Sequence, residues 1–305
     1  MVSVVVLMST YNGEKYLVEQ LDSIFQQVDV NVHLLIRDDG STDSTVAILQ
    51  EYKTKYKSAV EVVEGHNVGW KKSFQTLIQE AAKRYTDCKY FAFADQDDIW
   101  LPEKLSRAVS LLNTLPYGPG LYCSNQFIYK DGKKCGLIFK ESGIVSPKGC
   151  LVRNYATGCT ILFNDNLLRC LAVGSPKINI AHDYWCYMVA TLCGSVVIDD
   201  QAYILYRQHS SNQIGAEKNW LGTWRNRLKS ISKLIGNHNR EAMAKELARL
   251  HGDHMTPEGR AAVDKLTNYR STLSNRLSLL FDKDYTLNRV SNDFWFKLRI
   301  ILGRV

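Results

Sequence analysis

Tyr90-Phe91-Ala92-Phe93-Ala94-Asp95-Gln96-Asp97-Asp98-Ile99-Trp100 is an apolar run that stops abruptly in three carboxylates within four residues. The run reads as a buried strand and the acids as the loop at its carboxyl end. Two readings of the acids compete. Oxygen ligands packed this densely suit a hard divalent cation, Mg²⁺ or Mn²⁺, which in turn holds the phosphates of a substrate. Alternatively the acids cap the helix that Pro102-Glu103-Lys104-Leu105 opens, at the positive end of its dipole. A cap needs one carboxylate and not three, which favours the cation.

Working outward toward the N-terminus, the same strand–loop–helix unit recurs three times. Residues 2–8 form a continuous β-branched run, ending in Ser9-Thr10-Tyr11-Asn12-Gly13 before a helix with Leu17, Leu21 and Ile24 on one side. A strand over 32–36 leads into Arg37-Asp38-Asp39-Gly40-Ser41-Thr42-Asp43 and a helix over 46–56. A third strand over 59–63 ends in Gly65-His66-Asn67-Val68-Gly69-Trp70, ahead of a helix over 73–84. Four successive βα units predict a parallel sheet whose functional loops gather at the carboxyl ends of the strands. All four polar loops lie at that edge.

Downstream of Leu115-Pro116-Tyr117-Gly118-Pro119-Gly120 the pattern changes, and the second half of the sheet is expected to be mixed. Residues 121–129 and 134–139 flank Asp131-Gly132 as a hairpin. Further strands are predicted over 160–163, 195–198 and 202–206, with helices over 165–172 and 184–192. Beyond residue 215 the strand signal ends and basic amphipathic helices follow. The expected division is a catalytic domain over 1–215, with a nucleotide-binding half to about residue 115 and an acceptor half over 116–215, and a helical extension over 216–305.

A chain of 305 residues, 45% hydrophobic, can bury a large core. Its net charge of +7 is confined to the end: residues 216–305 hold 17 Lys+Arg against 9 Asp+Glu, and the rest 21 against 22. A neutral body with a basic tail points to an anionic lipid surface and not to nucleic acid. Trp220, Trp224, Leu228, Ile231 and Ile235, and again Phe294, Trp295, Leu298, Ile301 and Leu302, recur at helical spacing among cations. Such helices can lie in a lipid interface or pack on the catalytic domain. The eight cysteines show no CxxC pair or zinc spacing, so reduced thiols are expected. The first residues read as a strand and not a signal peptide, and no run approaches the roughly 18 apolar residues of a spanning helix. The expected location is the cytoplasm, peripheral on the inner face of the cell membrane.

No GxGxxG follows the first strand, and neither a GxxxxGK[ST] loop nor a serine nucleophile elbow occurs. What the strand ends offer is carboxylates (Asp38, Asp39, Asp95, Asp97, Asp98) and amide or hydroxyl groups (Thr10, Asn12, Asn67), a set suited to a nucleoside and a metal-bound diphosphate.

Thr10-Tyr11-Asn12-Gly13, Asp38-Asp39-Gly40-Ser41-Thr42-Asp43, Asn67-Val68-Gly69 and Asp95-Gln96-Asp97-Asp98-Ile99-Trp100, in this order, resemble family 2 glycosyltransferases of the GT-A fold. With Thr157-Gly158-Cys159, His182-Asp183-Tyr184-Trp185 and Tyr206-Arg207-Gln208-His209-Ser210-Ser211-Asn212, the chain is similar to bacterial rhamnosyltransferases of cell-surface polysaccharide synthesis. The likeness covers residues 2–215; each motif alone is weak, and together in register they are strong. It implies a GT-A (Rossmann-like) mixed α/β sheet flanked by helices. Thr10, Tyr11 and Asn12 would line the nucleoside pocket, Asp38 or Asp39 would accept from the base, and Asn67 and Gly69 would border base and ribose. Asp95-Gln96-Asp97 takes the place of the family's DxD, with Asp95 near the ribose and Asp97 on the metal. His209 would add a metal or phosphate contact, and Thr157 and Gly158 would frame the sugar or acceptor cleft. Asp183 matches the catalytic base.

The activity so implied is inverting, metal-dependent transfer of a sugar, L-rhamnose from dTDP-rhamnose, onto a polysaccharide or lipid-linked glycan. A UDP-sugar glucosyl- or galactosyltransferase and a silent nucleotide-sugar-binding protein are the alternatives. Each residue also has a plainer role: Asp183 as a helix cap, His209 as a surface histidine, Trp100 and Trp185 as packing.

Overall fold

Side chains along β1 (Val2–Thr10) alternate between two cores: Val5 and Leu7 enter one, Val4, Val6 and Met8 the other. Successive strand residues point to opposite faces, and helices cover both, so the strand is apolar throughout. The computed structural model of the chain describes residues 1–140, 143–208, 240–286 and 290–305. His209 and the apolar positions 220, 224, 228, 231 and 235 lie outside the described residues.

β2 (Val30–Asp38), β3 (Val60–Glu64) and β4 (Tyr90–Ala94) run parallel to β1 in the order β3-β2-β1-β4. The crossovers are α1 (Glu14–Phe25), α2 (Thr45–Tyr56) and α3 (Trp70–Arg84). The expected four-unit parallel half is therefore present. Next come β5 (Ile99–Trp100), α4 (Lys104–Leu112), β6 (Gly120–Lys130), β7 (Lys133–Leu137), α5 (Pro147–Cys150), β8 (Leu162–Asn164), α6 (Asp165–Ala172), α7 (His182–Cys193) and β9 (Ser195–Arg207). β8 is antiparallel to β4 and to β6, whereas β6 and β9 are parallel, so the sheet is mixed as expected.

Two strands predicted over 195–198 and 202–206 are one, β9. The polar break at Asp199-Asp200-Gln201 is a register shift, closed by Gln201 N donating to Asp199 Oδ1 at 3.1 Å. β5, two residues long, pairs with β9 through Ile99↔Leu205 and Trp100↔Ile204. That pairing ties the end of the acidic loop to the far side of the sheet.

α7 is buried on all sides: every residue but Tyr184 is buried. A helix apolar all round belongs in the interior. Here it sits between the sheet and the C-terminal helices α8 (Arg240–His251), α9 (Pro257–Thr267), α10 (Leu273–Leu280) and α11 (Val290–Ile301). Ala244, Leu247, Ala262, Val263, Leu266, Leu279, Phe296 and Ile300 share one core with α7 and the sheet. Tyr285 Oη donates to Ala262 O at 2.6 Å, and Lys177 N donates to Glu246 Oε1 at 2.7 Å. The inner faces of the tail helices thus pack on α7 and the sheet. No helix among the described residues is long and apolar enough to cross a membrane, and the eight cysteines are unpaired.

Candidate active site at the strand ends

The strand order turns back between β1 and β4, and in open α/β sheets the crevice at such a switch point is where ligands bind. The loops that follow these two strands meet there. Tyr11 N donates to Gln96 Oε1 at 2.8 Å and Gln96 Nε2 donates to Tyr11 O at 3.1 Å, so the Gln96 amide is spent on joining the two loops. Asn12, with φ of +47°, joins the β1 and β2 loops: its Oδ1 accepts from Thr42 N at 2.8 Å and its N donates to Ser41 Oγ at 2.9 Å.

Asp38 and Asp39 are both buried, and they are held differently. Asp38 accepts from Thr10 Oγ1 (2.8 Å), Gly40 N (3.1 Å), Ser41 N (2.8 Å) and Ser41 Oγ (2.6 Å), which uses the whole capacity of a carboxylate. Asp39 pairs with the buried Arg37 guanidinium and accepts from Val68 N at 3.0 Å and Gly69 N at 2.8 Å. Gly69, at φ of +81°, occupies the left-handed region that other residues avoid and so brings its N–H round to that carboxylate. Asn67 is exposed at the same turn, its Oδ1 accepting from Gly69 N at 3.1 Å.

After β4 the carboxylates crowd. Burial, then the charges of Asp97 and Asp183, push the half-buried Asp95 carboxyl up to about 7. Burial, then Asp95 and Asp97, also push the fully buried Asp98 well above the carboxylate range. Asp98 Oδ1 accepts from Arg207 N at 3.2 Å, while Oδ2 has no hydrogen-bond partner among the described residues. Ligand atoms of Asp95, Asp98 and Cys159 lie within 4.8 Å of one another. The mutual repulsion of the Asp95 and Asp98 carboxylates and the orphaned buried Asp98 oxygen fit a hard divalent cation, whereas the soft sulfur of Cys159 does not add to that fit. Asp97 is half-buried, and its backbone carbonyl accepts from Arg207 Nε at 2.9 Å.

Reading the sequence singled out neither Lys104 nor Arg207. Lys104 is fully buried, with Nζ 3.7 Å above the Trp100 ring. Burial pushes its ammonium down to about 7, against the holding charges of Cys159 and Asp98. Its Nζ has no hydrogen-bond partner among the described residues, and the only available signal was a single cation six residues after Asp98. Arg207, stacked 4.5 Å over Tyr16 and paired with Glu19, clamps the loop from β9.

α7 begins with His182-Asp183, and the two residues differ in kind. Asp183 accepts from Tyr184 N at 2.6 Å. Burial pushes its carboxyl up to about 6, partly offset by hydrogen bonds from Tyr184 N, Gly158 N and the Asn154 side chain. His182 stacks on Phe74 at 3.8 Å, edge-on to Phe93 at 4.7 Å, and neither ring nitrogen has a partner among the described residues. Burial pushes it down to about 3, so it is a neutral aromatic wedge behind the carboxylate. Gly158 makes this approach possible, since a Cβ there would come within 2.9 Å of His182 Nε2 and 3.6 Å of Asp183 Cβ. Thr157 Oγ1 accepts from Gln126 Nε2 at 3.3 Å beside it.

The site thus sets a buried carboxylate, raised by burial, beside an acidic loop at the switch point of a mixed α/β sheet. Residues 5–163 match the model of the family described as Glycosyl transferase family 2. The chain belongs to glycosyl transferase family 2. Among curated relatives, the dTDP-rhamnosyl transferase RfbG of Shigella flexneri is 33% identical over 218 residues, 68% of this chain and 74% of that protein. An uncharacterized glycosyltransferase of Rickettsia typhi is 26% identical over 245 residues, 75% of this chain and 72% of its own. In fold, the family 2 chain matches S. aureus TarS 1–349 in complex with UDP-GlcNAc at a TM-score of 0.58 and 18% identity, over 98% of this chain and 81% of that one. It also matches the mannosyltransferase PcManGT from Pyrobaculum calidifontis in complex with GDP-Man and Mn²⁺, with a TM-score of 0.52 and 17% identity, over 90% and 71% of the two chains. The fold is GT-A.

Proposed function

We propose that this family 2 glycosyltransferase moves L-rhamnose from dTDP-rhamnose, with inversion, onto a polysaccharide or lipid-linked glycan, at the cytoplasmic face of a membrane. Support for the donor is the dTDP-rhamnosyl transferase of Shigella flexneri at 33% identity. Residues 1–215 would carry the chemistry and 216–305 the helical extension.

The observation that carries the mechanism is Asp183: a buried carboxyl pushed up to about 6 and close enough to Asp95 to raise it in turn. An acceptor hydroxyl is a poor nucleophile until a base takes its proton, and a base is most effective when its pKa lies near the working pH. Asp183 takes that proton from one side. On the other, Thr10, Tyr11, Asn12, Asp39, Asn67 and Gly69 seat the nucleoside, with Asp38 bracing the loops around them. Asp95 and Asp97, with His209, would hold a divalent cation, Mn²⁺ or Mg²⁺, which supplies charge neutralisation to the departing nucleoside diphosphate. One base acting opposite one leaving group gives single displacement. The test is turnover on a panel of nucleotide sugars with Mn²⁺, Mg²⁺ or EDTA: fastest transfer from dTDP-rhamnose is expected, and preference for a UDP-sugar would replace the donor assignment.

A further inference from the structure

Leu273, Leu277 and Phe281 recur every fourth residue along α10 and just past it, and all three are exposed. Spacing of this kind makes one stripe. α11 divides its apolar residues: Phe296 and Ile300 are buried in the core, whereas Phe294 (62% exposed), Trp295 (41%), Ile301 (54%) and Leu302 (60%) face outward. The Arg270 and Arg276 side chains come within 3.6 Å of where a Cβ on Gly303 would stand, so the start of α10 lies beside the end of α11. The two exposed stripes therefore lie on neighbouring helices. Soluble monomers rarely leave so many large apolar side chains open this close together.

Charge indicates what covers it. The carboxylates of this segment are already engaged: Asp282 with Lys148 and Lys265, Asp284 with Lys148, and Asp293 by Thr286. Exposed Lys283, Lys297 and Arg304 pair with no carboxylate among the described residues. What remains is an apolar face with a positive rim. A second copy of the chain would set like charges against each other around that face, whereas anionic headgroups complement it. With α10 at 8 residues and α11 at 12, the helices are too short to span and suited to lie flat.

We propose that the α10–α11 face docks on an anionic lipid bilayer, seating Phe281, Phe294, Trp295 and Leu302 in the headgroup–acyl boundary with Lys283, Lys297 and Arg304 at the phosphates. This deepens the membrane location proposed above and rests on nothing about donor or chemistry.

The test is co-sedimentation of the full chain with vesicles of phosphatidylcholine, with and without phosphatidylglycerol, beside nucleoside diphosphate affinity on the same samples. The wild type should pellet with the mixed vesicles and be released by salt. Phe281→Glu/Leu302→Glu changes two exposed residues and should lower partitioning by roughly tenfold or more for each. Lys297→Gln and Arg304→Gln should each lower it by roughly fivefold on the mixed vesicles only. Donor affinity should stay unchanged throughout, so a failure here is distinguishable from a failure of the glycosyltransferase reading. Wild-type-like pelleting of Phe281→Glu/Leu302→Glu would overturn the proposal and move the contact elsewhere. A wild type that ignores vesicles but sediments as a dimer, which the same variant dissolves, would assign the face to a second copy instead.

Discussion

Asp183→Asn should give a protein that is nearly inert and more stable. Burial lifts this carboxyl from 3.8 to about 6, so the ionised form that accepts the proton is held in the fold at a cost. The unfolded chain ionises near the ordinary value, so native stability falls as pH rises from about 4 to about 6 and stays reduced above that. The lift corresponds to on the order of 3 kcal/mol. Asn carries no charge and its oxygen can still accept from Tyr184 N, so a gain of roughly 1–3 kcal/mol at pH 7.5 is expected, the lower figure allowing for weaker hydrogen bonds. Turnover should fall by roughly 10²–10⁴, the contribution of a positioned base, or about 3–5 kcal/mol of transition-state stabilisation. Wild-type kcat should itself titrate near pH 6 and at pH 5 stand roughly tenfold below its plateau. Thermal unfolding, transfer rate and donor Kd on one preparation read all three effects. A folded variant within about tenfold of wild-type turnover refutes the base; loss of donor affinity instead would place Asp183 in the donor pocket.

Asp97→Ala should abolish the dependence of nucleoside diphosphate binding on Mn²⁺, read by calorimetry with and without EDTA; an unchanged metal response would remove Asp97 from the cation site. In Gly158→Ala the added Cβ would meet His182 Nε2 at 2.9 Å, so kcat should drop at least about tenfold through a displaced base while donor Kd holds. Burial pushes the Lys104 ammonium down to about 7 from 10.5, so its charging opposes folding and wild-type stability should fall as pH drops from about 10.5 to about 7. Lys104→Met should lose that fall in thermal melts; an unchanged pH profile would mean that Lys104 stays charged in the fold.

The parallel half of the sheet was readable because each strand is a short apolar run ending in polar residues, and those strand ends are where Thr10, Asp38, Asn67 and Asp95 now stand. The Asp131-Gly132 hairpin was equally plain, with both residues at positive φ. What escaped was nonlocal. Two residues, Ile99 and Trp100, show no strand period, and they form β5 only because β9 arrives beside them from a hundred residues away. Gln96 resembles a donor-binding amide in sequence, yet the backbone of Tyr11 occupies it. Asn154 and Arg207 gain their meaning from Asp183 and Asp97, neither of which is a near neighbour in the chain. The tail meets the packing half of its expectation, with Phe296 and Ile300 turned inward, while Phe294 and Leu302 face out.

The wrapping of α7 on all sides bears on how this protein loses activity. Many enzymes mount their reactive groups on segments that open locally at a small fraction of the global unfolding free energy. Asp183, the proposed base, sits instead on a helix clasped between the sheet and α8–α9 within a single core. The backbone amides of α7 should therefore exchange with solvent only through global opening, among the slowest in the molecule. Heat should remove turnover and tertiary structure in one transition, with no warm, folded and inactive intermediate before it.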